Sequence, residues 1–146
     1  MKLSKRCEYG LKAAVSLAAH FGRGYLQSRE IAESEGLPAK FLESILLALR
    51  SAGLLESKVG AGGGYRLSRT PDAIMVADII SALEGGDPDI ALSKEHAQTP
   101  AYWAMRMLEE RIESALDEAF GSLSIRDLLG LAEWRSRSSL QSASAG

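Results

Sequence analysis

A glycine-rich stretch, KVGAGGGYRL, occupies residues 58–67 and constrains the fold more than any other segment. Such a stretch can cradle a phosphate, bend the chain at a hinge, or form the tip of a hairpin. A nucleotide-binding loop leads into a helix, and no GK followed by Ser or Thr occurs here. The glycines lead instead into an alternating segment, with Tyr65 and Leu67 on one face and Arg66 on the other. The stretch therefore predicts a two-stranded hairpin whose tip uses positive φ angles.

Three helical patterns precede the hairpin. Residues 4–22 carry apolar side chains at helical spacing, with Ser4 as the candidate N-cap. The segment SREIAESEG predicts a short second helix that Ser28 caps and Gly36 ends. Pro38 suits the first turn of a third helix, LPAKFLESILLALRSAG. Two helices joined by a tight turn and followed by a hairpin predict a winged helix-turn-helix.

The third helix has two different faces. Its apolar face is predicted to lie in the core and comprises Phe41, Leu42, Ile45, Leu46, Leu49 and Ala52. The opposite stripe comprises Lys40, Glu43, Ser44 and Leu47. In a helix-turn-helix, the second of the two helices offers its N-terminal residues to a DNA groove, and here that helix is the third helix of the chain. There Lys40 can reach guanine, Glu43 can accept from cytosine, and Ser44 can pair with several bases.

Size and composition limit the class of protein. The chain has 146 residues, 46% of them hydrophobic, so a single domain with an appendage can bury a core. No apolar run approaches the ~18 residues of a membrane span. One cysteine cannot form a disulfide within the chain. These features predict a cytoplasmic protein with no membrane contact.

Charge is distributed unevenly along the chain. Residues 1–70 carry eleven Lys or Arg and six Glu, whereas residues 71–146 carry six Lys or Arg and thirteen Asp or Glu. A basic first half and an acidic second half indicate two different tasks. We expect the basic half to face a polyanion and the acidic half to face away from it.

The second half predicts three more helices. IMVADIISALEGG forms the first, and a loop without periodicity follows over residues 87–100. The longest helix is predicted from residue 101 to about residue 120, and a short helix starts at Ser124. Residues 136–146, SRSSLQSASAG, are small and polar and predict a disordered tail.

The long helix carries an apolar seam that predicts a homodimer. Seam residues recur every three or four positions, which suits lengthwise packing on a partner helix. The seam is Met105, Leu108, Ile112, Ala115 and Ala119, and Tyr102 and Leu116 broaden it. Packing within one chain is the alternative. Tyr102 and Trp103 leave a second alternative open, the lining of a small-molecule pocket.

Four segments together resemble the Rrf-two family of bacterial winged-helix regulators: MKLSKRCEYGLKAAVSLA, the helix-turn-helix, GLLESKVGAGGGYRLSR and VADIISALEG. The resemblance implies a mainly α fold with a winged helix-turn-helix DNA-binding domain and a small two-stranded wing over residues 1–86. A variable sensor-type loop would follow over 87–100, and a long C-terminal dimerisation helix and its successor over 101–135. It implies a homodimer that sets a recognition helix in the major groove and a wing against the minor groove.

The resemblance also implies which residues contact DNA. They are Ser28, Arg29, Pro38, Ala39, Lys40, Glu43, Ser44, Lys58, Gly60, Gly62, Gly63 and Tyr65. The wing departs from the family at one position, because close relatives place an arginine before the first wing glycine and this chain has Val59. We therefore expect a weaker or different minor-groove preference.

A second departure concerns iron. Many members of the family hold an iron–sulfur cluster through three loop cysteines, and residues 87–100 contain none. We therefore expect no cluster cofactor and no metal site, since Glu8, where some relatives supply a fourth ligand, holds nothing by itself. Cys7 is a candidate redox residue, because Lys5 and Arg6 can lower its pKa. The alternative for Cys7 is an ordinary, partly buried helix residue.

The sequence thus predicts a transcriptional repressor that binds a palindromic DNA operator as a homodimer. The alternative is a winged-helix module that docks on another protein and does not bind DNA. No paired carboxylates, nucleophile–histidine pair or nucleotide fingerprint indicates an enzyme. The signal is left open between a small-molecule or protein effector, oxidation of Cys7, an atypical metal site, and none.

Overall fold

The computed structural model describes residues 3–84 and 99–145. The elements in chain order are α1 (Lys5–Ala19), α2 (Ser28–Glu35), α3 (Ala39–Ser51), β1 (Leu55–Lys58), β2 (Gly64–Leu67), a 3₁₀ turn (Pro71–Ala73), α4 (Val76–Glu84), α5 (Pro100–Phe120) and α6 (Ile125–Ser144). The strands pair antiparallel, with Leu55 opposite Leu67 and Lys58 opposite Gly64. The mainly α fold with a small two-stranded wing is confirmed. None of the helices in these ranges is both long and apolar enough to cross a bilayer.

Helices α1, α3 and α4 enclose the core. Ser4 caps α1 as predicted, because its hydroxyl oxygen accepts from the Cys7 amide at 3.1 Å. A Cβ on Gly10 would overlap the Leu83 side chain, so α1 and α4 pack closely at this glycine. The buried side of α3 is Leu42, Ile45, Leu46 and Leu49, as predicted, whereas Ala52, also predicted to be buried, is the C-cap and is exposed. Phe41 is 37% exposed instead and contacts Tyr9 edge-on, with ring centroids 5.6 Å apart.

The cap of α2 differs from the prediction. Ser28 is the first helical residue, and Gln27 before it is the N-cap. The backbone N–H of Gln27 donates to Glu30 Oε2 at 2.8 Å. In a capping box, this is the bond between the N-cap backbone and the side chain three residues later. Gly36 ends α2 at φ 65°, as predicted, and Ile31 anchors the helix on the core.

The start of α6 returns to the core of the first half. Val76 donates to the Leu123 carbonyl at 2.9 Å, and Ile125 donates to the Ile74 carbonyl at 2.8 Å. Ile125 is fully buried in the same cluster as the residues of α1 and α3. The predicted division at residue 86 therefore cuts through one hydrophobic core, because residues 123–129 complete it from the far end of the chain.

Helix α5 packs very differently from the others. None of its residues is buried. Met105, Leu108 and Ile112 of the predicted seam are 48%, 51% and 51% exposed. Leu116 packs in part against the core of its own chain, so this member of the predicted dimer face has an intrachain contact. The remaining seam presents an apolar surface to solvent.

The predicted disordered tail is wrong, since α6 continues to Ser144. Its serine hydroxyls bond back to helix carbonyls: Ser139 to Arg135 and Ser142 to Ser138, each at 3.0 Å. Such side-chain bonds compete with the backbone hydrogen bonds of a helix, so the serines weaken α6 without ending it before Ser144. The predicted sensor-type loop lies outside the described residues, apart from Thr99 and Pro100 at the start of α5.

Candidate nucleic-acid interface

The outward stripe of α3 is free to contact a ligand. Lys40, Glu43 and Ser44 are all exposed, as are Pro38 and Ala39 at the start of the helix. Within the described residues, Lys40 and Glu43 form no ion pair. The Ser44 hydroxyl donates to the Phe41 carbonyl at 2.9 Å, which leaves its oxygen as an outward acceptor. The stripe therefore offers a cation, an anion and a hydroxyl acceptor side by side.

A shallow cavity of about 400 Å³ brings the second group of predicted residues together. Its lining is Gln27, Ser28, Arg29, Lys58, Gly60, Gly63, Gly64 and Tyr65. One wall is the first turn of α2, whose amides carry the positive end of the helix dipole. The other wall is the wing. Residues far apart in the sequence thus form one concave surface with two side-chain cations, Arg29 and Lys58.

The wing requires glycine for two distinct structural reasons, positive φ angles at the tip and close contacts between backbone atoms. Gly60 and Gly62, with φ 92° and 72°, supply left-handed turns at the tip. At Gly63 a Cβ would overlap the Lys58 carbonyl oxygen and lie 2.8 Å from that of Gly60. Gly64, which the sequence prediction of the site omitted, has φ 130° and lies against the Leu26 backbone. Its position in the run GGGY is the signal that could have indicated it.

A single antiparallel bridge joins Leu26 to the two-stranded wing. The Leu26 amide donates to the Tyr65 carbonyl at 2.9 Å, and the Tyr65 amide donates back at 2.7 Å. Burial and the nearby charge of Glu43 raise the pKa of Tyr65, while Arg50 opposes the shift. Tyr65 therefore contacts the segment that enters α2 through its backbone, and the charge of Glu43 on α3 acts on its hydroxyl.

The two basic side chains of the wing differ in their pairing. The Arg66 guanidinium pairs with Glu56 at 2.9 Å across the two strands. Lys58 has no ion-pair partner in the described part of the chain. Val59, at the tip, is 95% exposed. Lys58 is therefore the cation that the wing presents.

The redox hypothesis for Cys7 meets an unfavourable environment. Cys7 is 0% exposed. Burial, assisted by the charge of Glu84, raises the pKa of its thiol. The expectation that Lys5 and Arg6 lower this pKa is wrong, because Lys5 instead pairs with Glu8 at 3.4 Å. A buried thiol with a raised pKa is a poor nucleophile and a poor ligand.

The donor set does not fit a three-cysteine cluster. The chain contains a single cysteine, whereas iron–sulfur clusters are held mainly by several thiolates. Among the residues that the structure describes, no three His, Cys, Asp or Glu side chains are grouped to hold a metal ion. Glu8 is engaged by Lys5 and Lys12, each 3.4 Å away. Residues 87–98, with further carboxylates and a histidine, lie outside the described ranges.

Sequence comparisons give the same family over most of the chain. The Rrf2 family, described as "Iron-dependent Transcriptional regulator", matches residues 3–130. The HTH-type transcriptional regulator CymR of Bacillus subtilis (strain 168) is 37% identical over 128 residues, which cover 88% of this chain and 89% of CymR. The HTH-type transcriptional regulator IscR of Aliivibrio salmonicida (strain LFI1238) is 38% identical over 124 residues, which cover 80% of this chain and 73% of IscR.

Solved structures agree with the sequence relatives. The structure of B. subtilis CymR (YrzC), the global cysteine regulator, matches with a TM-score of 0.67 and 37% identity, covering 90% of this chain and 98% of that one. T. potens IscR matches with a TM-score of 0.64 and 37% identity, covering 90% and 88%. The winged-helix architecture is thus shared with known regulators. With its helix-turn-helix, its glycine-rich wing and these matches, the chain belongs to the Rrf2 family of DNA-binding transcriptional regulators.

Proposed function

We propose that this protein is a sequence-specific transcriptional repressor that binds a palindromic DNA operator as a homodimer in the bacterial cytoplasm. The observation that carries the proposal is the cavity that the first turn of α2 forms with the wing, together with the exposed polar stripe of α3. Both features belong to the basic part of the chain, and polyanion binding requires a basic surface.

We assign the recognition of DNA bases to α3. Lys40 suits guanine O6 and N7, and Glu43 suits the amino group of cytosine. Ser44 acts as an acceptor in this arrangement, because its proton is already donated to Phe41. Glu43 also repels phosphates, so it disfavours registers that bring the backbone against α3.

Affinity is assigned to the cavity between α2 and the wing. The amides of the first turn of α2, together with Arg29 and Lys58, suit a phosphate group. The glycine tip lets the backbone approach the sugar–phosphate chain without side-chain obstruction. Phosphate contacts give affinity and salt dependence but no sequence choice.

Dimerisation is assigned to α5. Three seam residues, Met105, Leu108 and Ile112, are about half exposed, which leaves an apolar face without an intrachain partner in the described ranges. A two-fold dimer implies a palindrome with half-sites about one helical turn apart. We propose that the dimer works without the three-cysteine cluster, since one cysteine cannot supply its ligands.

The test is operator selection followed by a charge-matched pair of variants. Duplexes are selected from a random DNA pool, and Lys40→Ala is compared with Lys12→Ala, which removes a lysine from α1 instead. Lys40→Ala should weaken specific binding by ~1–3 kcal/mol and relax the choice at one base position. Lys12→Ala should bind as wild type does. Unchanged binding of Lys40→Ala to operator and random duplex would contradict the assignment of α3.

A salt titration separates the proposal from the protein-docking alternative. Several phosphate contacts require affinity for duplex DNA to fall steeply as salt rises. A protein adaptor would show almost no binding at any salt concentration. The homodimer is tested separately by sedimentation: Ile112→Asp on the seam should yield monomers, while Ser114→Asp on the opposite side of α5 should remain dimeric.

A further inference from the structure

The aromatic ring of Tyr25 lies against two cations of the wing. Its ring centroid is 4.6 Å from Cζ of Arg66 and 6.0 Å from Nζ of Lys58. Both distances fall in the range in which a cation is attracted to an aromatic face. Leu26, the next residue, is hydrogen-bonded to Tyr65, so the backbone beside Tyr25 is fixed to the wing.

The two cations have different surroundings. Arg66 lies opposite Glu56 in the strand register, and its Nε and a terminal nitrogen both contact Glu56 Oε2 at 2.9 Å. Its charge is thus neutralised and its position fixed. Lys58 lies two residues along the same strand from Glu56, so the two side chains share one face of the wing. The ring of Tyr25 therefore faces both the paired guanidinium of Arg66 at 4.6 Å and the unpaired ammonium of Lys58 at 6.0 Å.

We propose that Tyr25 is a positioning residue that holds the Lys58 ammonium in place for contact with a DNA phosphate. A free lysine side chain has four rotatable bonds and loses much of its freedom when it binds. Contact with the ring limits that freedom before DNA arrives. The wing has particular need of this arrangement, because its tip residue Val59 is exposed and uncharged. The inference rests on the proposed DNA-binding function.

The experiment is a double-mutant cycle on the purified full chain. Tyr25→Leu, Tyr25→Phe, Lys58→Ala and the Tyr25→Leu/Lys58→Ala double variant are titrated by fluorescence anisotropy with the selected operator duplex at several salt concentrations. Circular dichroism melting establishes that each variant is folded. Should Tyr25→Leu fail to fold, Tyr25→Gln takes its place in the cycle.

Four results are expected. Tyr25→Leu weakens operator binding about two- to five-fold, the range of an exposed cation–π contact. Tyr25→Phe binds as wild type does, because the ring and not the hydroxyl is required. Lys58→Ala lowers the salt slope by about 1, the loss of one phosphate contact. In the Lys58→Ala background, Tyr25→Leu causes no further loss.

Three results would overturn the inference. If Tyr25→Leu weakens binding equally with and without Lys58, the ring supports the wing and not the lysine. If Tyr25→Phe binds as weakly as Tyr25→Leu, the hydroxyl is the active group. If Lys58→Ala leaves affinity and salt slope unchanged, Lys58 contacts no phosphate, while the assignment of Lys40 still stands. Failure of the wild-type protein to bind any duplex would instead overturn the proposed function.

Discussion

Replacing Gly64 with alanine should destabilise the wing, because this glycine lies where the wing meets the segment that enters α2. Its φ of 130° is in a region that side chains rarely adopt. An added Cβ would overlap the carbonyl oxygen of Leu26 and come within 2.7 Å of the Gln27 nitrogen. All of these are backbone atoms, so the clash is relieved only if the segment at Leu26 separates from β2.

The expected loss in the free energy of unfolding follows from the hydrogen bonds that this separation breaks. Two hydrogen bonds join Leu26 and Tyr65, at 2.9 and 2.7 Å. Each contributes about 0.5–1.5 kcal/mol, and holding alanine at the native φ would cost about 1–3 kcal/mol. We therefore expect Gly64→Ala to lower the free energy of unfolding by about 2–6 kcal/mol. Amide exchange at Leu26 and Tyr65 should accelerate.

Gly62→Ala is the matched control. Gly62 also has a positive φ, 72°, but a Cβ there has no neighbour within 4 Å. The left-handed conformation alone costs roughly 1–2 kcal/mol. Both substitutions restrict the unfolded chain equally, so that effect cancels in the comparison. Urea denaturation of the two variants measures the difference. Equal stabilities, or unchanged exchange at the Leu26 amide, would refute the structural role assigned to Gly64.

Three further predictions concern the wing tip, the cap of α6 and the buried thiol. Val59→Arg should strengthen duplex binding and raise the salt slope by about 1, because it adds a cation at the exposed tip; an unchanged slope would place the tip away from DNA. The amide and then the hydroxyl of Ser124 lower the pKa of Asp127, so this carboxylate stabilises the fold above the ordinary aspartate pKa of about 3.9, and the contribution is lost as the pH falls through the lowered value. Asp127→Asn should therefore make the free energy of unfolding fall less steeply as the pH is lowered. The same steepness in the variant and the wild type would contradict this. Cys7 should react with a thiol reagent only after the fold opens, so rapid labelling of the native protein would contradict its burial.

Much of the fold was predictable because its signals are local. Helical spacing of apolar residues, the cap at Ser4 and the glycine at position 36 act over a few residues, and the structure contains the helices that they predict. The error at Ser28 arose at the same scale. Ser28 and Gln27 are both plausible caps, and the choice fell to Gln27 because Glu30 lies three residues beyond it.

The exposed stripe of α3 was predictable from the sequence, whereas the contacts that shape the wing were not. The stripe on α3 follows from helical periodicity, and its exposure agrees with that pattern. The pairing of Arg66 with Glu56 depends on strand register, and the place of Tyr25 depends on a bridge between residues 26 and 65. Neither can be read from a local pattern, because each joins segments that are distant in the chain.

The amino-acid sequence by itself determined the order of the elements, the polar stripe of α3, the glycine tip of the wing and the absence of cluster thiolates. Tertiary structure alone decided which cations remain free, that Cys7 is enclosed, and that residues 123–129 complete the core of the first half. The physical reason is the distance along the chain over which each kind of interaction acts. Backbone preferences and side-chain periodicity act between near neighbours, whereas ion pairing and burial depend on which distant segments the packed core brings into contact.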